Sequence, residues 1–235
     1  MRAFILAAGI GSRLRPITDN VPKCMVEVCG EKIIDRQITA LINAGIKEIF
    51  VVGGYKFDVL KKHLRLKFPH VTLIENADYL KNNNMYSVFL TKKFAIGHDC
   101  IYMNADVFVD SSYIKILVDS NYENTILAQK DRYEDENMKI CFNGKKIYSI
   151  SKQIDKYSSF ATSIDMYKFS KSFILKWFDI ISNYIIDKKI INLWNEVSIN
   201  DMFEFFDVFP TLIDNKWFEI DTLDDLNKAE ELFKN

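Results

Sequence analysis

The sequence predicts an α/β fold: a mostly parallel central sheet with helices on both faces, joined to a smaller β-rich portion. Two observations carry this. Short apolar runs of strand length alternate with segments of helical period over roughly residues 3–119, the pattern that builds a covered parallel sheet. The first run also ends in a glycine turn, and ligands bind beyond the C-terminal ends of such strands. Residues from about 123 onward change texture, with short runs separated by turn signals.

In chain order, Ala3 to Ala8 form a buried strand, and Gly9 and Gly11 let the following backbone turn tightly beside a ligand. Ile33, Ile34, Ile38, Leu41 and Ile42 recur at helical spacing up to Gly45, and Glu48 to Val52 form the second strand. A helix follows over about 56–67, then a strand from Val71 to Glu75 and a helix from Met85 to Lys93. Cys100 to Asn104 form a strand and Tyr113 to Asp119 a helix. Thr125 to Gln129, Met138 to Phe142, Lys146 to Ser151 and Thr162 to Phe169 read as strands, with a hairpin turn at Asn143-Gly144. Two helical stretches, about 170–189 and Trp194 to Phe206, precede strands at Phe209 to Ile213 and Lys216 to Ile220. Thr222 and Asp225 form a capping box before Leu223, Leu226, Ala229 and Leu232.

A chain of 235 residues suffices for one domain with a full core. Its net charge of −1 gives no basic field to hold a nucleic acid backbone, so a bound nucleotide is expected to be a small molecule. The N-terminal apolar stretch is short and runs into Arg13 and Arg15 without a cleavage region, so a cytoplasmic protein without membrane insertion is expected. Cys24, Cys29, Cys100 and Cys141 lack metal-binding spacing, and only three histidines are present. Reduced, mostly buried thiols are therefore expected rather than a zinc cluster.

Leu6-Ala7-Ala8-Gly9-Ile10-Gly11-Ser12-Arg13-Leu14 is the most informative segment, with Pro16, Thr18 and Pro22-Lys23 behind it. Amide groups in a glycine turn favour anions, Arg13 offers a planar fork of donors and Lys23 a compact charge. The loop suits a triphosphate. A dinucleotide-binding fingerprint would need a third glycine at Leu14, and no Gly-Lys-Ser/Thr follows to make a Walker loop.

These positions match the signature L-A-A-G-x-G-[ST]-R-L-x-P-x-T-x-x-x-P-K, and the chain resembles the nucleotidyltransferases that make nucleotide-activated sugars and alcohols. Asn83 to Phe89, Asn104-Ala105-Asp106 and Trp217 to Asp221 resemble the short subgroup that contains phosphocholine cytidylyltransferases. The resemblance implies a Rossmann-like nucleotidyltransferase fold of the GT-A type, with a nucleotide-binding half at about 1–122 and an acceptor-binding half at about 123–235. It implies nucleotide contacts from Leu6, Ala7, Ala8, Gly9, Gly11, Ser12, Arg13 and Lys23, with Asn84 and Ser87 near the base and CTP the preferred nucleotide. Arg13 and Lys23 are the implied catalytic cations. Asp106 and Asp221 are the implied ligands of Mg²⁺, a hard cation suited to carboxylate oxygens; each aspartate could instead cap the helix that follows it.

The resemblance also implies a small phosphorylated acceptor held by Lys152, Trp194 and Glu196, and a product destined for capsule or lipopolysaccharide. Sugar-phosphate relatives carry an acidic residue before the lysine, and this chain has Ser151-Lys152. Ser159 to Thr162 replace a Gly-Glu pair of many relatives, a second departure from a hexose site, and Glu31-Lys32-Ile33 a lysine-proline pair. Trp194 could give a cation–π face, with Glu196 a counter-charge, or could be a core aromatic. A second aromatic implied for a choline box is Met138 here, so amino-alcohols, polyols and amides stay open as acceptors. A sugar-1-phosphate nucleotidyltransferase, a silent nucleotide-binding regulator and a transferase consuming a nucleotide-sugar are the competing classes. The last is disfavoured because Asp119-Ser120-Asn121 and Asp131-Arg132-Tyr133 are not D-x-D.

Overall fold

The computed structural model describes residues 1–134, 136–214 and 216–234. Its elements run β1 (Arg2–Ala7), β2 (Glu27–Val28), β3 (Glu31–Lys32), α1 (Ile33–Asn43), β4 (Glu48–Gly53), α2 (Phe57–Lys67), β5 (Thr72–Glu75), α3 (Asn84–Leu90), α4 (Lys92–Ala95) and β6 (Cys100–Asn104). There follow β7 (Val107–Val109), α5 (Ser111–Asp119), β8 (Thr125–Gln129), β9 (Lys139–Phe142), β10 (Ile147–Ser151), β11 (Ala161–Phe169), α6 (Lys171–Ser182), α7 (Asn195–Met202), β12 (Phe209–Leu212), β13 (Trp217–Glu219) and α8 (Leu223–Phe233).

Nine strands make the central sheet, in the order β10-β9-β11-β6-β1-β4-β5, with β8 paired to β11 and β12 to β8. β6, β1, β4 and β5 are parallel, and β11 joins β6 antiparallel, so the sheet is continuous between the two halves of the chain. β1 is apolar along almost its whole length because both faces of the sheet are covered. Ala3, Ile5 and Ala7 face α1, α2 and α5 through Ile34, Ile38, Leu60 and Ile114. Phe4 and Leu6 face the opposite layer, where Phe173, Trp177 and Phe178 of α6 pack. Phe4 lies between Phe50 and Tyr102, stacked 4.9 Å from each. A third cluster, with Leu14, Phe108, Ile220 and Ala229, sits behind the glycine loop.

Several elements depart from the sequence expectation. The helix expected over 85–93 breaks at Thr91, whose hydroxyl donates to the Val88 carbonyl and meets the Tyr102 hydroxyl at 2.7 Å. The helix expected over 170–189 leaves α geometry after Ser182 and continues as a π turn, Asn183–Asp187. Asn195–Met202 is shorter than expected, with Trp194 outside the helix at its N-cap. β7 and the β2–β3 hairpin were not expected. The last strand does not join the central sheet: β13 pairs antiparallel with β7 in a separate ribbon. Asn143-Gly144 does turn between β9 and β10, with Gly144 at φ +84° and the Asn143 side chain accepting two amide bonds.

Candidate active site

The C-terminal ends of β1, β4 and β6 come level, Leu6 pairing with Val52 and Asn104, and open into a cavity of about 390 Å³. Leu6, Ala8, Gly9 and Arg13 line it from the glycine loop. Gly11 is left-handed, at φ +67°, and a Cβ there would lie 2.9 Å from the Cβ of Lys23. That close approach lets Lys23 cross behind the loop. Ala7 points into the core, and Ser12 is an exposed residue opening a short 3₁₀ turn, so neither lines the cavity.

The turn after β6 carries Asp106, fixed from three sides. The Ala105 amide donates to the Leu6 carbonyl at 3.1 Å, the Ile220 amide to the Asp106 carbonyl at 2.9 Å, and buried Gln37 donates to the carbonyls of Asn104 and Val107. The β7–β13 ribbon then places Glu219 opposite Val107 and Asp221 just beyond. The two aspartates therefore meet through this ribbon, not by emerging from neighbouring strands of the central sheet. Neither caps a helix: Asp110 caps α5 and Thr222 caps α8.

Lys23 Nζ lies 2.7 Å from Asp106 Oδ2 and 2.5 Å from Asp221 Oδ1, and Arg13 reaches Asp221 Oδ2 at 2.9 Å. Burial alone would depress the Lys23 ammonium, but the two carboxylates outweigh it and hold its pKa above the ordinary value. Burial likewise opposes the charge on Asp221, and Lys23 and Arg13 more than offset this, keeping its pKa below the usual range. Lys23 is thus a paired cation between carboxylates rather than a free one beside the loop.

Asp106, Glu219 and Asp221 each offer one oxygen within 4.8 Å of the others, and Asp106 Oδ1 is buried without a hydrogen-bond partner. Three converging carboxylate oxygens, with a buried Asp106 oxygen left without a partner, fit a divalent cation of the Mg²⁺ type, with the Lys23 ammonium standing where positive charge is needed. Glu219 is held well above the ordinary carboxylate range, first by burial and then by the charges of Asp106, Asp165 and Asp221. A bound cation would remove that repulsion.

The far end of the cavity is built by α3, β10, β11 and the start of α7. Lys152 Nζ contacts Glu136 at 3.5 Å and lies 5.3 Å from the Trp194 ring centre. Trp194 is 45% exposed and borders the cavity, so it is not a core aromatic. Glu196 is buried and accepts from the Tyr167 hydroxyl at 2.7 Å. Burial and the nearby Asp165 charge push its carboxyl up to about 8. Asn84 accepts from the Asn195 amide at 2.8 Å, and Ser87 accepts from Asn76 at 3.1 Å, so both are held at the wall by neighbours.

Sequence reasoning missed Glu219, Asp165, Asn76 and Tyr79, all at the cavity wall. Glu219 lay unread inside the Trp217–Asp221 motif. Asp165 had a signal, a carboxylate inside the otherwise apolar run of β11, and Asn76 needed knowledge of where the chain returns after β5.

The family profile described as Nucleotidyl transferase matches residues 2–139. The CTP:phosphoglutamine cytidylyltransferase of Campylobacter jejuni is 33% identical, over 96% of this chain and 98% of its own. The choline-phosphate cytidylyltransferase of Streptococcus pneumoniae is 29% identical, over 100% and 99%. The solved CTP:phosphocholine cytidylyltransferase of Streptococcus pneumoniae superposes with a TM-score of 0.82, covering 98% of both chains at 26% identity. No helix among the described residues is long and apolar enough to cross a membrane. A glycine loop, a carboxylate cluster and a polar corner on one cavity, together with these similarities, show that the chain belongs to the nucleotidyl transferase family and is a nucleotidyltransferase of Rossmann-like fold.

Proposed function

We propose that the protein transfers CMP from CTP to a small phosphorylated acceptor with a nitrogenous head group, releasing pyrophosphate. The carrying observation is that one cavity joins the glycine loop, the carboxylates around Lys23, and a corner with Lys152, Trp194 and Glu196. The full-length relatives named for CTP and phosphorylated nitrogenous acceptors support the same reading. CTP synthesis and the four free thiols fit a cytoplasmic site of action, ahead of capsule or lipopolysaccharide decoration.

An acceptor phosphate is already ionised near neutral pH, so its oxygen attacks the α-phosphorus without a general base. The new phosphorus–oxygen bond forms as the bond to the β-phosphate breaks, and the electron pair leaves with pyrophosphate. Positioning and charge neutralisation then carry the catalysis. Gly9, Gly11, Ser12 and the amides of Ala7 and Ala8 shape the triphosphate loop, and Leu6 backs it. Arg13 meets the departing β- and γ-phosphates. Lys23 meets the α-phosphate once ligands draw it from the aspartates, and Lys152 meets the acceptor phosphate. Asn84 and Ser87 contact the base. Mg²⁺ held by Asp106, Asp221 and Glu219 supplies further neutralisation of the triphosphate.

A pyrophosphate-release screen tests this, with CTP, UTP, dTTP, ATP and GTP each offered phosphoethanolamine, phosphocholine, phosphorylated amides, glycerol phosphate and hexose-1-phosphates. Turnover is expected with CTP and a nitrogenous acceptor. Turnover restricted to a hexose-1-phosphate with UTP or dTTP would overturn the assignment.

A further inference from the structure

Ser87 is 3% exposed, and it borders the cavity from α3. A helical serine commonly returns its proton to a carbonyl one turn earlier. Here the hydroxyl accepts from the Asn76 amide at 3.1 Å, and among the described residues no carbonyl or carboxylate takes its proton. A buried donor without a partner is costly, and the side left open to this one is the cavity.

A backbone group settles why Asn76 presents nitrogen rather than oxygen to Ser87. The Asp78 carbonyl can only accept, so the Asn82 atom 2.7 Å from it is the amide nitrogen. The same nitrogen donates to Asn76 Oδ1 at 3.0 Å, and Asn76 Nδ2 returns a bond to Asn82 Oδ1 at 2.8 Å. Each amide nitrogen carries two hydrogens. Those of Asn82 go to Asp78 and Asn76, and those of Asn76 go to Asn82 and Ser87, so neither amide can turn over without setting oxygen against oxygen. Asn76 is 1% exposed, and its backbone amide is anchored on the Gly53 carbonyl at the end of β4, at 2.7 Å. The series Asp78, Asn82, Asn76, Ser87 therefore ends in a hydroxyl whose proton belongs to the cavity.

We propose that this relay makes Ser87 a donor to N3 of cytosine, and that Asn76 is the positioning residue that thereby sets cytosine above uracil. The inference rests on the CTP reading of the same cavity. The 4-amino group of cytosine is itself a donor, and O2 is common to both pyrimidines and carries no choice between them. N3 is an acceptor in cytosine and a donor in uracil. An unrestrained serine could serve either base by rotating its proton. With one lone pair of Ser87 taken by Asn76, accepting the uracil N3–H would use the second and leave the buried proton with no acceptor. Cytosine N3 satisfies that proton directly.

Nucleotide binding by the full chain with Mg²⁺, measured by titration calorimetry without acceptor, isolates the base from the transfer step. 3-Deaza-CTP keeps O2 and the 4-amino group and replaces N3 by C–H. Wild type is expected to bind it at least about tenfold more weakly than CTP, and UTP more weakly by a similar factor, since a site built for a hydrogen bond rejects the analogue lacking it. Ser87→Ala should bind CTP and 3-deaza-CTP alike. In Asn76→Asp the carboxylate accepts the Ser87 proton and a hydroxyl lone pair faces the cavity, so the ratio of CTP to UTP affinity should fall by at least about tenfold. Asn82→Ala, at a half-buried loop position, frees the Asn76 amide to turn over and should lower the same ratio, which keeps the relay testable if the aspartate variant does not fold. Equal wild-type affinity for CTP and 3-deaza-CTP overturns the Ser87 contact. A CTP-to-UTP ratio that stays at the wild-type value in Asn76→Asp, or in Asn82→Ala where that variant alone folds, overturns the relay. Both results leave nucleotidyl transfer standing, whereas a wild-type preference for UTP over CTP overturns the CTP assignment itself.

Discussion

Glu196 shows how one side chain can cost the empty protein stability while serving the occupied one. Its carboxyl goes from an ordinary 4.5 to about 8 because burial and Asp165 oppose its charge. The folded state therefore binds more protons than the unfolded state between those two values, and stability falls as pH rises through that window. Above about 8 the loss is complete. Glu196→Gln removes this contribution, so thermal unfolding of the unliganded variant should decline less between pH 5 and pH 8.5 than that of wild type. Equal declines would mean that the Glu196 carboxyl is not held protonated. The residue itself was legible in the sequence, since Asn195-Glu196 follows Trp194 in a segment for which the family resemblance implies acceptor contacts. Its buried partner Tyr167 was not, because a tyrosine in an apolar strand looks like packing until an irregularity in β11 turns Asp165 toward it.

The element that decides the geometry of the carboxylate cluster is the junction of β13 with α8. Thr222 caps α8 by accepting the Asp225 amide at 3.1 Å, and Asp225 returns bonds to the Thr222 amide at 2.8 Å and the Asp221 amide at 3.2 Å. Arg132 holds the other end, donating to the Trp217 carbonyl at 2.9 Å with its guanidinium over the Trp217 and Phe218 rings. Thr222→Ala should cost roughly 1 kcal/mol of stability, the usual loss of an N-cap. It should also weaken Mg²⁺ binding measured by titration calorimetry, while Thr222→Ser should restore both. A stability loss with unchanged metal affinity would show that the cap does not position Asp221. The capping box was readable from Thr222 and Asp225 alone, as were the long strands and helices of the first half, whose periodicity is strong. The β7–β13 ribbon was not readable. Three residues give too short a pattern, and the pairing partners lie far apart in the chain, so only tertiary contact selects them over membership of the central sheet.

At the scale of the whole molecule, the cavity lies where both halves of the chain meet. β1 and the β6–β7 turn bring the loop and Asp106, while the C-terminal ribbon brings Glu219 and Asp221. Their mutual repulsion opposes closure of that junction, and Lys23 offsets it with a buried ammonium. A divalent cation that binds only the folded protein adds stability, about 2.7 kcal/mol at a hundredfold excess over its dissociation constant. Mg²⁺ should therefore raise the unfolding temperature of wild type, beyond any effect of NaCl at matched ionic strength, which accounts for screening. Lys23→Met should unfold at a lower temperature than wild type without metal, because removing one partner leaves half-buried carboxylates uncompensated. With its competitor for the same carboxylates gone, the variant should gain more from Mg²⁺ than wild type does. Its transfer rate should nonetheless fall on the order of a hundredfold, since the α-phosphate loses a cation that a metal on the carboxylates does not replace. Differential scanning fluorimetry with and without Mg²⁺, alongside pyrophosphate release, measures all of these. Equal Mg²⁺-dependent shifts in wild type and Lys23→Met would separate the lysine from the metal position, and a shift that survives in Asp221→Asn would move the cation away from this cluster.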